Sequence, residues 1–464
     1  MLKKLLYIAI VSGFISAVIT GCAPQTSTVT VPLDTTEVFS TSGDQEAPGR
    51  WWNAFGDPEL NTLVDSALES NFNLITAWQR LREAQAVIDR ASSGLFPQLE
   101  ASVRGESNRL QTQFQESQIL QLGISSQYEI DLWGRINSNL EAQRYRADAS
   151  LADYRTAALS LSAEVARTWF SLMEAHGQLR LVNQQIKTNE KVLKLLQTRF
   201  GTGQIRSADI LRQRQLLEST REQRISVESR IQLLEHRLSV LLGRPPQKSM
   251  NYTRDSLPEL PPLPETGIPS ELVRRRPDIR SAYRLLQAAD REVASAISNQ
   301  FPRISLSASL STADLNGGNL FEDWGRSLAG NVIAPLFYGG QLSAEVDRNQ
   351  AVKKQRLYQY GQSILTAFRE VEDALAQEKK QREKIQSIRN QLEIARQAYE
   401  QLRIEYFNGM GNYLDVLTAL DEEQQLQRDL LTAKMVLLEY RIALYRSLAG
   451  GFETTRENQE LSKQ

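Results

Sequence analysis

The chain has 464 residues and a formal net charge of -1, with 23% charged and 7% aromatic residues. That balance excludes a disordered chain, a multi-span helical membrane protein and a basic nucleic-acid binder. Length alone allows two or three domains.

Residues 1–21 read as an export signal, with Lys3 and Lys4 ahead of an apolar run from Leu5 to Val18. The run ends in Ile19-Thr20-Gly21-Cys22, which resembles a bacterial lipobox. Cys22 is the only cysteine, so an exported chain has no disulfide partner for it, and lipidation is the expectation. An uncleaved helical anchor is the alternative. Ala23 follows, and a non-acidic residue there resembles the Gram-negative sorting pattern for the outer membrane. Residues 22–49 are rich in Thr, Ser, Pro, Gln and Asp and read as a flexible lipid-anchored tether.

Residues 50–242 form a first structural repeat. Trp51-Trp52 and Phe55-Gly56-Asp57-Pro58 open it, with Asp57 as N-cap and Pro58 at N1. A short amphipathic helix on Leu60, Leu63, Val64 and Leu68 precedes a second from about Leu74 to Ser93. After Phe96-Pro97, alternation of period 2 predicts strands over about 97–104 and 120–133, with a polar loop over 105–118. From Ile136 to Phe200 there is no proline and one glycine, Gly177. A helix over 136–200 would be about 97 Å long, deeper than an ordinary globular core. Gly201-Thr202-Gly203 then predicts a turn, and residues 207–242 a return helix.

Residues 243–270 are too rich in proline for a helix and read as an equatorial connector. The pattern then repeats over 271–449, displaced by about 205 residues. Leu272 to Asn299 reads as helix interrupted at Pro277-Asp278, and Phe301-Pro302 matches Phe96-Pro97. Strands are predicted over about 303–311 and 327–337, a long helix over 341–407, a turn at Asn408-Gly409-Met410-Gly411 and a return helix over 412–448. Residues 450–464 read as a polar C-terminal tail.

The predicted strands have one apolar and one polar face. The neighbouring helices are too long and polar to cover the apolar face. A membrane barrel with lipid outside and a wet lumen has this alternation. Four strands cannot close a barrel, since the smallest have about 8, and lipid does not tolerate open edges. Several chains must therefore share one barrel; two or three would both serve. Ile385, Ile388, Leu392, Ala395, Tyr399, Leu402 and Tyr406 step alternately by three and four, as do Leu431, Met435, Leu438, Ile442 and Tyr445. These are the seams of antiparallel helical hairpins. The fold class is α+β, mainly α and internally duplicated, with four strands per chain.

In this the sequence resembles the TolC-type outer-membrane efflux channels, in the lipoprotein branch serving RND-type tripartite pumps. The likeness rests on Cys22, Trp51-Trp52, Phe55 to Pro58, the two Phe-Pro pairs, Asp131-Leu-Trp-Gly-Arg135 and the two glycine tips. It covers roughly residues 50–450, twice over. It implies a homotrimer whose twelve strands form one outer-membrane barrel and whose helices form a periplasmic tunnel. It further implies passive export of drugs or other small solutes, driven by an inner-membrane pump through a periplasmic adaptor. Metal ions or secreted protein are alternative cargoes, and a pore-less periplasmic spacer is the alternative from another class.

The resemblance places inward aspartates after the second tip, at a periplasmic gate. Asp415 falls there, and it is also the N3 carboxylate behind an Asn412 N-cap. A second acidic position of the family is Thr418 here, and a locking arginine is Gly411. Tyr406 or Tyr413 against Asp209 is the expected substitute lock. Gly201, Gly203, Gly409 and Gly411 are expected to form turns whose loops dock the adaptor. No cofactor, metal site, nucleic-acid partner or enzymatic activity is expected: His176 and His236 lack ligand spacing, and Gly201-Thr-Gly203 lies between helices rather than after a strand. Arg274-Arg275-Arg276 reads as surface or helix-end packing.

Overall fold

A computed structural model describes residues 38–44, 49–109, 116–246, 256–314, 318–449 and 451–461. The export signal, Cys22 and the tether to residue 37 lie outside the described residues, as does part of the connector. A single 3-10 turn, Trp51–Phe55, precedes α1 (Pro58–Ser70) and α2 (Phe72–Ser92). Strands β1 (Gln98–Arg109) and β2 (Glu116–Ile130) follow, then α3 (Arg135–Gly201) and α4 (Ser207–Leu241). The second half runs α5 (Pro269–Arg275), α6 (Pro277–Ser298), β3 (Arg303–Asp314), β4 (Gly325–Ile333), α7 (Gln341–Phe407) and α8 (Tyr413–Leu448). A last helix, α9, spans Thr455–Leu461. Both long helices have 67 residues, and the return helices have 35 and 36. The duplication read from the sequence is thus reproduced element for element.

The described residues divide into two compact units, and α2, α3, α6 and α7 each contribute to both. One unit, residues 84–147 and 283–361, holds the sheet. Its order is β1-β2-β3-β4, antiparallel throughout. The register sorts the side chains onto two faces. Val103 lies opposite Leu122; Ala101 lies opposite Ile124, which faces Leu310. Ile130 faces Ile304, and Ile304 faces Val332. On the other face Glu100, Ser125, Ser309 and Ser327 make one row, and Gln98, Gln127, Ser307 and Ala329 the next. The apolar face is bare in the single chain: Leu328 is 83% exposed, and Leu99, Val103 and Val332 are exposed with it. Phe96, Phe337 and Tyr338 are exposed at one end of the sheet, where Trp133 stacks on Phe301 at 5.0 Å. Phe321 and Trp324 are exposed in the β3–β4 connection at the other end. Among the described residues no helix is long and apolar enough to cross a membrane.

The strands depart from the predicted bounds in ways that backbone chemistry explains. β1 and β2 extend from both sides into the stretch read as polar loop, pairing Gly105 with Leu120 and Arg109 with Glu116. Backbone pairing needs no apolar side chain there, so alternation underestimates the strands. β2 stops at Ile130 because the Asp131 carboxylate accepts from Ile136 N at 2.9 Å and Asn137 N at 2.8 Å, capping α3. β4 stops at Ile333, short of the predicted 337, because Pro335 has no N–H for a ladder. The interruption predicted at Pro277-Asp278 is present, one residue earlier: Arg276 separates α5 from α6, and Pro277 opens α6.

The other unit comprises described residues within 35–83, 148–282 and 362–464. Its core is built by the aromatic run near residue 51. Trp51 and Trp52 are fully buried, and Trp51 stacks on Tyr445 at 5.8 Å. Asp57 Oδ1 accepts from Glu59 N and Leu60 N, capping α1, while Oδ2 accepts from Trp169 Nε1 at 3.0 Å. One carboxylate therefore sets both the helix start and its seat on α3. Residues 38–43, read as flexible tether, are fastened instead. Phe39 is buried edge-on against Phe368, Ser40 N donates to Glu372 Oε1 at 2.9 Å, and Gly43 N donates to Pro264 O at 3.1 Å. The tail likewise contains α9, held by Arg155 Nε to Glu457 Oε1 at 2.8 Å and by Tyr154 to Thr454.

Candidate functional site at the helix tips

Both hairpin turns close with the same backbone motif. Gly203 has φ +72, and Gln204 N donates back to Arg199 O at 3.0 Å. Gly409 has φ +78, and Met410 N donates back to Glu405 O at 2.9 Å. A left-handed residue there lets the last helical carbonyls be capped, which is why glycine occupies both positions. Gly201 instead ends α3, with open space around it. Gly411 is needed for closeness: a Cβ there would lie 3.3 Å from Tyr406 N. So the four tip glycines have three different structural tasks.

Beyond the second tip, Asn412 caps α8 by accepting from Leu414 N at 3.1 Å. Asp415 sits in the first turn of α8 with its side chain exposed. The helix dipole favours a carboxylate there. Thr418, one turn on, is exposed, and its Oγ1 donates to Leu414 O at 2.9 Å.

The tips of the two hairpins are joined by an apolar cluster and a polar chain. Leu196, Tyr399, Tyr413, Val416 and Leu420 pack together, and the Tyr406 and Tyr413 rings are 5.3 Å apart. The Tyr413 hydroxyl donates to Gln213 Oε1 at 2.5 Å. Gln213 Nε2 donates to Asn189 O at 3.0 Å, and Asn189 Nδ2 donates to Thr220 Oγ1 at 3.0 Å. Gln424 Nε2 donates to Asn189 Oδ1 at 3.0 Å. Gln213 and Asn189 are fully buried. This chain ties α8 to α3 and α4 just behind the turns.

Asp209, Tyr406 and Tyr413 are thus brought to one place, but not as the sequence suggested. Tyr413 bonds to Gln213, not to Asp209. Asp209 is 4% exposed, with Arg206 Nη2 at 3.9 Å and Arg212 Nη1 at 4.0 Å from its Oδ1. That oxygen accepts no hydrogen bond from a described residue, and the Tyr406 hydroxyl also has no hydrogen-bond partner among them. The Asp209 charge acts on Tyr406 through space instead. Burial first, then Asp209, pushes the Tyr406 hydroxyl above its ordinary pKa, against the pull of Arg199 and Arg206. Burial pushes Tyr413 up further, with Tyr399, Tyr406 and Asp209 adding to it. Both phenols stay protonated at neutral pH.

Sequence reasoning missed Gln213, Asn189 and Gln424. Asp209, Gln213, Leu217 and Thr220 are all buried along α4, stepping by four, four and three. The heptad-like spacing was available as a signal. It was hidden because three of the four residues are polar, and polar residues on a helix are read as solvated.

Comparison with known proteins gives concordant results. A sequence profile described as "Outer membrane efflux protein" matches residues 63–244 and 268–450. The chain is 30% identical over 450 residues to the pyoverdine export outer membrane protein OpmQ of Pseudomonas aeruginosa, covering 94% of each chain. It is 27% identical over 461 residues to the cation efflux system protein CusC of Escherichia coli, covering 95% of this chain and 98% of that one. Among solved structures, the outer-membrane channel OprN superposes with a TM-score of 0.81 at 28% identity, covering 93% of this chain and 97% of the other.

Proposed function

The chain belongs to the outer membrane efflux protein family, and on that premise we propose that three copies close one pore that leads a pump's cargo out of the periplasm. It is an outer-membrane efflux channel, of a transport class rather than an enzyme class. The single observation that carries a barrel shared between copies is the sheet, and the family sets the number at three. Its apolar face is bare, and β1 and β4 each have one strand neighbour among the described residues. Four antiparallel strands make β4 run opposite to β1. The β4 of one copy can therefore pair with the β1 of the next without breaking the antiparallel order, and the ring closes with no edge in lipid. Twelve strands would face Leu99, Val103, Leu328 and their neighbours to lipid and the serine rows to water. The aromatic residues at both ends of the sheet would lie at the two membrane surfaces.

The tips serve as the periplasmic gate. Three copies of Asp415 form a ring of exposed carboxylates that favours cations at the closed mouth. Tyr406, Tyr413 and Asp209 hold that mouth from behind, with Gln213 as the partner that Tyr413 engages. The exposed tip loops around Gly201, Gly203, Gly409 and Gly411 dock a periplasmic adaptor, which couples the channel to an inner-membrane pump. Cys22 carries the lipid. The cargo class is drugs or other small solutes, as pyoverdine is for the similar OpmQ. The test is the mass of the detergent-solubilised particle by light scattering, corrected for bound detergent. Three chains per particle are expected. A stable monomer with intact strands overturns the shared barrel and with it the pore.

A further inference from the structure

A cavity of about 650 Å³ opens between α3, α7, α8 and the connector segment 256–260, at a distance in sequence from every tip residue. That volume falls in the range of sites for drug-sized molecules. Each helix offers it one stripe, and each stripe combines apolar residues with at least one cation. From α3 come Met173, Gly177 and Arg180; from α7, Ile385 and Arg389; from α8, Leu431, Lys434 and Leu438. Leu257 and Leu260 of the connector close the apolar part. Gly177 permits the tight floor, since a Cβ there would meet Leu431 Cδ2 at 2.9 Å.

The charge of the lining is one-sided. Arg180, Arg382, Arg389 and Lys434 face a single acid, Glu259. Arg382 is spoken for, with Nη2 at 3.0 Å from Glu378 Oε1. Arg389 and Lys434 make no hydrogen bond or ion pair with another described residue. Both side chains are exposed at the rim of the hollow, where a ligand entering it would meet them. We propose that this cavity binds an amphipathic anion, with its alkyl part on the half-buried Leu257, Leu260, Leu431 and Leu437 and its carboxylate or sulfonate between Arg389 and Lys434. An aliphatic chain satisfies the floor by burial, and an anionic head converts two free cations into charge-assisted hydrogen bonds. A neutral or cationic amphiphile would meet the same floor but leave or repel the cations. The site does not depend on the gate.

The test uses the full-length channel in nanodiscs of zwitterionic lipid and a dodecanoate carrying a terminal diazirine. Photolabelling is mapped by peptide mass spectrometry. Label is expected in peptides containing 173–180, 256–260 and 431–438. Unlabelled dodecanoate should compete it away, and dodecyltrimethylammonium at the same concentration should not. Arg389→Glu with Lys434→Glu should cut the label roughly tenfold or more, as loss of about one such bond would. The exchange Arg389→Lys with Lys434→Arg should retain it. Label spread evenly along the helices, equal competition by the cationic amphiphile, or undiminished label in the charge-reversed protein would each overturn the proposal. If the charge-reversed protein fails to assemble, the competition in the unaltered channel decides alone.

Discussion

Replacing Tyr413 with Phe removes one hydroxyl and little else. The ring stays, so the stacking near Tyr406 and the contacts with Leu196, Val416 and Leu420 are kept. What is lost is the donor to Gln213 Oε1, a 2.5 Å bond in a place without water access. Gln213 keeps its bond to Asn189 O, but its oxygen is left buried and unpaired. Such an orphaned acceptor costs about 1–3 kcal/mol. If the bond exists only while α8 lies against α4, the whole cost falls on the closed tip. The closed-to-open ratio then shifts by roughly five- to 150-fold, at about 1.4 kcal/mol per tenfold. The assay is single-channel recording in planar bilayers, with resting open probability as readout. Gln213→Leu should give an increase of the same order, and the double variant should give less than the product of the two, because they remove the same bond. A pH arm follows from the sign of the phenol shift. An exposed tyrosine ionises near about 10, whereas the buried one holds its proton higher. The packed tip therefore binds more protons than the separated one above that pH, and its advantage falls as pH rises further. Opening should increase above about pH 10 in the unaltered channel and respond less in Tyr413→Phe. Refutation would come from a variant that melts at lower temperature yet keeps the resting open probability of the parent; Tyr413 would then be a packing residue and not a lock.

Two further outcomes are expected. Asp415→Ala should raise resting conductance or weaken block by divalent cations, and a channel unchanged in both respects would remove Asp415 from the gate. Arg441→Ala should destabilise the protein by about 3–5 kcal/mol, the usual cost of breaking a buried ion pair from one side. Arg441 is fully buried, its Nε and Nη2 at 2.8 and 2.7 Å from the two Glu378 oxygens, and its Nη1 holds Pro261 O and Pro262 O. The connector should also become sensitive to protease near these prolines; an unfolding free energy lowered by less than about 1 kcal/mol would contradict the account.

The parts of this fold that the sequence discloses are those governed by one short period. Strand alternation placed the apolar face correctly in all four strands, because one misplaced residue would turn every side chain over. Absence of proline disclosed the 67-residue helices, since a helix of that length needs nothing else stated locally. What stayed hidden is governed by contact between distant segments. Phe39 looks like one apolar residue in a polar tether until Phe368, over 300 positions later, covers it. Gln213 looks solvated until Tyr413 arrives. Residues 105–109 look like loop because a ladder is made by backbone groups common to every residue.

The same distinction explains why the position of Asp415 could be read locally but the partner of Tyr413 could not. Asp415 follows from local rules, a cap at Asn412 and a dipole that welcomes a carboxylate three residues on. A lock must instead join two elements that can part, so its residues cannot be neighbours in sequence. A dry leucine seam between the two hairpins would hold them by area, and separating it would expose apolar surface to water. Tyr413, Gln213, Asn189, Thr220 and Gln424 hold by hydrogen bonds that water can replace once the helices separate. A polar join is therefore cheaper to undo than a greasy one of equal size, while still fixing register when closed. Inside the second hairpin Ile385 and Ile388 pack on Ala433, with Leu426, Leu430 and Leu437 around them, and Arg441 pairs with Glu378. Between the hairpins the polar chain lies beside the apolar cluster of Leu196, Tyr413, Val416 and Leu420, so parting α8 from α4 would cost apolar area as well as hydrogen bonds, and only the hydrogen bonds are restored by water.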